Sequence, residues 1–165
     1  MTSPGVHLSR MLTSRGALLL FNAIFIYFTA LSLWGAIRPF RFGHPDAHEL
    51  EAIIDGIAVL SIAFGVALEC RKDIMAMLGL YPALKNATER RIDQVCHDFG
   101  IWYLLLGLLM DIPVQAVKVP EHIFATTGIE VPTLLVAVFF LAVALLAGLR
   151  ASWLLLRLPP LREDG

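Results

Sequence analysis

The sequence predicts an all-α, polytopic membrane protein: a four-helix transmembrane bundle with both termini in the cytoplasm. Three observations predict it. Four stretches, approximately 17–37, 48–69, 98–118 and 131–150, are each apolar over about the 20 residues that a helix needs to cross a hydrocarbon core. The chain is 58% hydrophobic and only 16% charged, with a mean hydropathy of +0.73; soluble domains run near 45–50% and 25%. Lysine and arginine, finally, gather on one side of the four stretches.

The first stretch follows a polar leader that contains His7 and Arg10. A secretory signal has an apolar run of about 7–15 residues, and this one is longer and rich in aromatics, so it reads as an uncleaved first span. Asn22, Thr29 and Ser32 within it can hydrogen-bond the helix backbone or a neighbour, a structural role. Arg38 to Ala47 reads as the first loop, broken by Pro39, Gly43 and Pro45.

Asp46 and Glu49 form a capping box that starts the second helix near Ala47. This helix is apolar to Leu68 and can run on through Glu69, Arg71, Lys72 and Asp73 until Tyr81-Pro82 stops it. Asn86 and Glu89 repeat the capping signal for the third helix. Pro113 lies inside that helix, where proline is tolerated but frees the Leu109 carbonyl and favours a kink. A short outer loop follows from Val119 to Glu130, with Pro132 suited to the first turn of the fourth helix. That helix has no charge from Leu134 to Leu149, and Ala144 with Gly148 makes a small-xxx-small pair.

The second and third helices form the core hairpin. On the second, Asp55, Ala58, Ile62, Gly65 and Glu69 recur at steps of three and four. On the third, so do Asp93, His97, Gly100, Leu104, Gly107 and Asp111. Each set is one face of a helix. Packed antiparallel through these faces, Asp55 stands level with Asp111, Gly65 with Gly100, and Glu69 with His97. Ala58, Gly65, Gly100 and Gly107 then serve close helix packing.

Ten of the basic residues, among them Arg10, Arg71, Lys72, Lys85, Arg90 and Arg150, fall on one side of the spans; Arg38, Arg41 and Lys118 fall on the other. The basic-rich side is the cytoplasmic one. Cys70 and Cys96 lie on that side as free thiols, too few for a disulfide framework.

Charge inside a membrane is costly and points to sites. Asp55 and Asp111, with His48, Glu51 and Gln115 outward of them, form a candidate ion pathway at the outer end; two carboxylates at one level share a proton or hold a cation. Glu69, Asp73, Glu89, Asp93 and His97 gather at the inner end, where a divalent metal is the one cofactor their chemistry suits. Ordinary ion pairing with the nearby basic residues is the default reading of that cluster, ahead of a metal. His44, Asp46 and His48 offer a weaker metal set in the first loop.

Catalytic signatures are missing: no phosphate-binding glycine loop, no HExxH and no serine elbow. No basic stripe suggests nucleic acid. The whole chain, 1–165, reads as one integral membrane domain of the cell (inner) membrane. A single bundle of four helices has little room for a pore, so the first expectation is a structural or accessory subunit, acting as a homo-oligomer or with a partner membrane subunit. A proton- or cation-coupled channel or transporter component is the alternative, and a metal-dependent membrane enzyme the weaker one.

Overall fold

A computed structural model describes residues 15–42, 47–77, 87–121 and 130–157. They form five helices: α1 (Arg15–Phe42), α2 (Ala47–Glu69), α3 (Arg71–Met77), α4 (Ala87–Glu121) and α5 (Glu130–Arg157). Four are long and apolar enough to cross a membrane. The chain is a small multi-span membrane helical bundle.

The helix ends follow from the sequence with three differences. First, α1 continues to Phe42 with Pro39 inside it, so part of the expected first loop is helical. Near a helix end, proline forfeits one amide donor, and few turns remain to be disturbed. Second, α4, which carries the buried Pro113 inside it as expected, continues past Lys118 to Glu121, so the start of the expected outer loop is helical. Third, α5 carries on past Arg150 through Arg157, whose guanidinium stacks 4.5 Å from the Trp153 ring centroid. The capping residues Asp46 and Asn86, the Tyr81-Pro82 stop and the loop set His44 and Asp46 lie outside the described residues.

Helices α2 and α3 are nearly continuous. The Cys70 amide donates to the Val66 carbonyl at 2.9 Å and the Ile74 amide donates to the Cys70 carbonyl at 2.9 Å, which keeps the i to i−4 pattern across the break. The α2–α4 pair is the most extensive contact in the bundle, followed by α4–α5, α1–α5 and α1–α2. The order around the bundle is therefore α1, α2, α4, α5. Burial ranks the helices the same way: 44% of the most apolar window of α4 is buried but only 17% of that of α1. Phe21, Tyr27, Phe28, Leu31 and Trp34 of α1 are exposed; in a bilayer such a face meets lipid at no cost.

Ile54, Ala58, Met110, Val114, Leu134 and Leu141 lie at the heart of the main core. Toward the Cys96 end, Phe25 stacks on Phe64 at 4.8 Å between ring centroids, and Tyr103 meets both rings edge-on at 4.7 and 5.3 Å. Such pairs add to simple burial. The Tyr103 hydroxyl donates to Asn22 Oδ1 at 3.1 Å, while Asn22 Nδ2 donates to the Gly148 carbonyl at 2.9 Å and to Ser152 Oγ at 2.7 Å. Asn22 thus ties α1 to α4 and α5, and its amide is satisfied away from water. Thr29 and Ser61 instead bond their own helices, at the Phe25 and Ile57 carbonyls, both at 2.7 Å.

Candidate functional site

The α2–α4 interface is built on main-chain contact. A Cβ placed on Gly65 would stand 2.7 Å from the Gly100 carbonyl oxygen and 2.6 Å from the Leu104 amide nitrogen. One on Gly107 would stand 2.9 Å from the Ala58 carbonyl oxygen and 2.6 Å from Ile62 Cγ1. No side chain larger than hydrogen fits at these points without moving a helix. The same contacts fix the level of every ionisable group on the two faces.

At one end, Lys118 near the close of α4 reaches α2. Its Nζ donates to Asp55 Oδ2 at 2.8 Å and lies 3.4 Å from Glu51 Oε1. Glu51 is the most enclosed of the three, with 11% of its side chain exposed against 37% for Asp55 and 32% for Lys118. His48 Nδ1 lies 4.0 Å from Glu51 Oε2, and its ring is 75% exposed. One turn inward on α4, Gln115 Nε2 donates to Asp111 Oδ1 at 3.0 Å. Asp55 and Asp111 thus take different partners. Two facing carboxylates repel, which is why the sequence suggests a shared proton or a bound cation; here Lys118 Nζ is the partner of Asp55. The cluster thus holds three carboxyl side chains, Glu51, Asp55 and Asp111, and the one lysine.

Lys118 is the residue that sequence reasoning missed as part of this cluster. The signal was present: it stands seven residues beyond Asp111 and so continues the same helical face. In the sequence, a lysine at a helix end also marks sidedness, and that use competes with the first.

At the other end, the charges sort into pairs. Arg71 Nη1 bonds Asp93 Oδ1, with only 12% and 17% of the two side chains exposed. His97 Nδ1 approaches Glu69 Oε2 at 2.8 Å, yet this oxygen takes no well-aligned hydrogen bond. Asp73 is exposed on α3, and the side chain of Glu89 lies outside the described residues. A cavity of about 280 Å³ lies between these pairs, lined by Glu69, Arg71, Lys72, Asp93, Cys96 and His97 among others. Among the described residues, no three His, Cys, Asp or Glu side chains come close enough together to hold a metal ion. Cys70 and Cys96 are free thiols, the second buried.

Between the two ends lies a purely packed stretch. From Asp55 to Glu69, the α2 face offers Ala58, Ile62 and Gly65; from His97 to Asp111, α4 offers Gly100, Leu104 and Gly107. Comparison with protein families, with curated proteins and with solved structures finds no match to the chain.

Proposed function

We propose that the chain is a structural or accessory subunit of a membrane assembly, a bundle that holds a fixed shape in the bilayer while further copies or a partner subunit supply what it lacks. One observation carries the reading. The charged groups of the α2–α4 interface sit in two clusters about 21 Å apart along the helix, at 1.5 Å per residue, and the facing residues between them are Ala58, Ile62 and Gly65 on α2 and Gly100, Leu104 and Gly107 on α4, with the Tyr103 hydroxyl turned to Asn22 of α1. Proton and cation paths through membranes run over successive polar groups or water. Here main-chain atoms of Gly65 and Gly100 occupy that line. In this reading both termini and the segment between α3 and α4 face the cytoplasm, on the distribution of lysine and arginine.

A second reading rests on the end cluster alone. Glu51 and Asp55 share one ammonium, with Gln115 one turn and Asp111 two turns inward of Lys118, and His48 at the rim. Such an excess of carboxylate suits cation loading in a channel or transporter component, with the remainder of the path between subunits.

Reconstitution separates the two. The scaffold reading expects vesicles holding the purified chain to pass no more protons or alkali cations than empty vesicles under a pH gradient or a potential. It also expects the chain extracted in native nanodiscs to run as a complex of more than one subunit. A flux that Asp55→Asn or Asp111→Asn abolishes, with thermal unfolding unchanged, would transfer the assignment to the second reading.

A further inference from the structure

A second cavity, of about 440 Å³, lies between α4 and α5, away from the α2–α4 interface. Its size is within the range of small-molecule sites, about 300–1,000 Å³. Its two charged lining residues, Asp98 on α4 and Arg150 on α5, lie toward one end, with Leu154 one turn beyond Arg150; on α5, Ala147, Leu146 and Val143 lead the other way, toward the middle of the span. Trp102 and Leu146 are exposed at the lip, 55% and 65%, so the groove opens to the outer surface of the bundle.

The charged end is at headgroup level. Asp98 directly follows His97, whose partner Glu69 is the last residue of α2. Trp102 and Trp153 mark the same end on α4 and α5, and tryptophan rings favour the membrane–water boundary. Asp98 and Arg150 line the same groove, yet neither has a hydrogen bond or ion pair among the described residues. The Asp93, Glu69, Glu51 and Asp55 carboxylates all do.

We propose that this groove binds a phospholipid whose headgroup carries a primary amine, of the phosphatidylethanolamine kind. Its chain lies along Ala147, Leu146 and Val143. The phosphodiester meets the Arg150 guanidinium, a planar donor suited to phosphate oxygens. The ammonium meets the Asp98 carboxylate. Charge complementarity selects this class: a headgroup with net negative charge and no amine leaves Asp98 opposed, and a quaternary ammonium has no N–H to donate to it. The inference is independent of the scaffold reading.

The test uses the full-length chain in nanodiscs, with Trp34 and Trp153 replaced by phenylalanine so that Trp102 reports from the groove. A minor fraction of lipid with brominated chains is added to a phosphatidylcholine matrix, its headgroup being ethanolamine, choline or glycerol. The ethanolamine lipid should quench Trp102 with an apparent affinity about two- to fivefold above the other two, the range for an exposed ion pair. Asp98→Asn should erase that preference, and Arg150→Gln should lower quenching by all three lipids. Ala147→Phe, which fills the groove floor, should also abolish it while helicity is retained. Equal quenching by the three lipids, or a preference that survives Asp98→Asn or Ala147→Phe, would overturn the proposal.

Discussion

Gly65 and Gly100 meet main chain to main chain: a Cβ on Gly100 would lie 2.9 Å from the Gly65 carbonyl oxygen. Nothing flexible stands between them, so an added methyl group can be accommodated only by separating α2 from α4. Gly100→Ala should therefore destabilise the bundle by about 1–3 kcal/mol, the usual cost of overpacking. Gly56 is the internal control, since a Cβ there meets nothing within 4 Å. Gly56→Ala should be neutral or stabilising by up to about 1 kcal/mol, because alanine is the better helix former. Thermal unfolding in one detergent, monitored by circular dichroism, measures both; equal effects would contradict the close approach.

Lys118 holds Asp55 and Glu51 together, so removing it should cost more than removing either carboxylate. Lys118→Met leaves Glu51 and Asp55 without that ammonium, with an expected loss of about 1 kcal/mol, the upper end for a partly exposed ion pair. Asp55→Asn leaves Lys118 with Glu51 and should cost less. A double-mutant cycle on Lys118 and Asp55 should give a coupling of about 1 kcal/mol that shrinks as salt is raised.

The Tyr103 hydroxyl donates to Asn22 across two helices. Tyr103→Phe keeps the three-ring cluster and removes that one bond. Membrane hydrogen bonds of this sort are worth about 0.6–1.7 kcal/mol, which sets the expected loss. In the Asn22→Ala background, Tyr103→Phe should cost little, and a full-size loss there would show that the hydroxyl acts elsewhere.

Sidedness can be read directly at Met77, which ends α3 with 88% of its surface exposed. In a chain with Cys70 and Cys96 replaced by alanine, Met77→Cys should react with a membrane-impermeant maleimide in inside-out vesicles and be protected in right-side-out ones. The reverse pattern would place the basic-rich side outside.

The glycine-bearing faces of α2 and α4 were legible because helical periodicity is local: Gly65 and Gly100 fall on steps of three and four that any reader of the chain can count. The spacing that carries Asp111 seven residues on to Lys118 was equally countable. It went unused because a lysine at a helix end has a second, competing use as a marker of membrane orientation. The Asn22 hub was out of reach for a different reason. Its partners Tyr103, Gly148 and Ser152 stand 81 to 130 positions away, and no sequence pattern says which helices become neighbours or at what depth. The passage of α1 past Pro39 likewise depends on where in the last turns the missing donor falls. The cavity between Asp98 and Arg150 belongs to two helices whose packing no single periodicity describes.

Side-chain interfaces can slip, because rotamers exchange and knobs find new holes. An interface made of main-chain atoms lacks that freedom. Where α2 and α4 touch through glycine, sliding one helix along the other would bring the Cβ of a neighbouring residue against the opposing main chain, so the register between the Lys118 end and the Arg71 end is set by backbone shape alone.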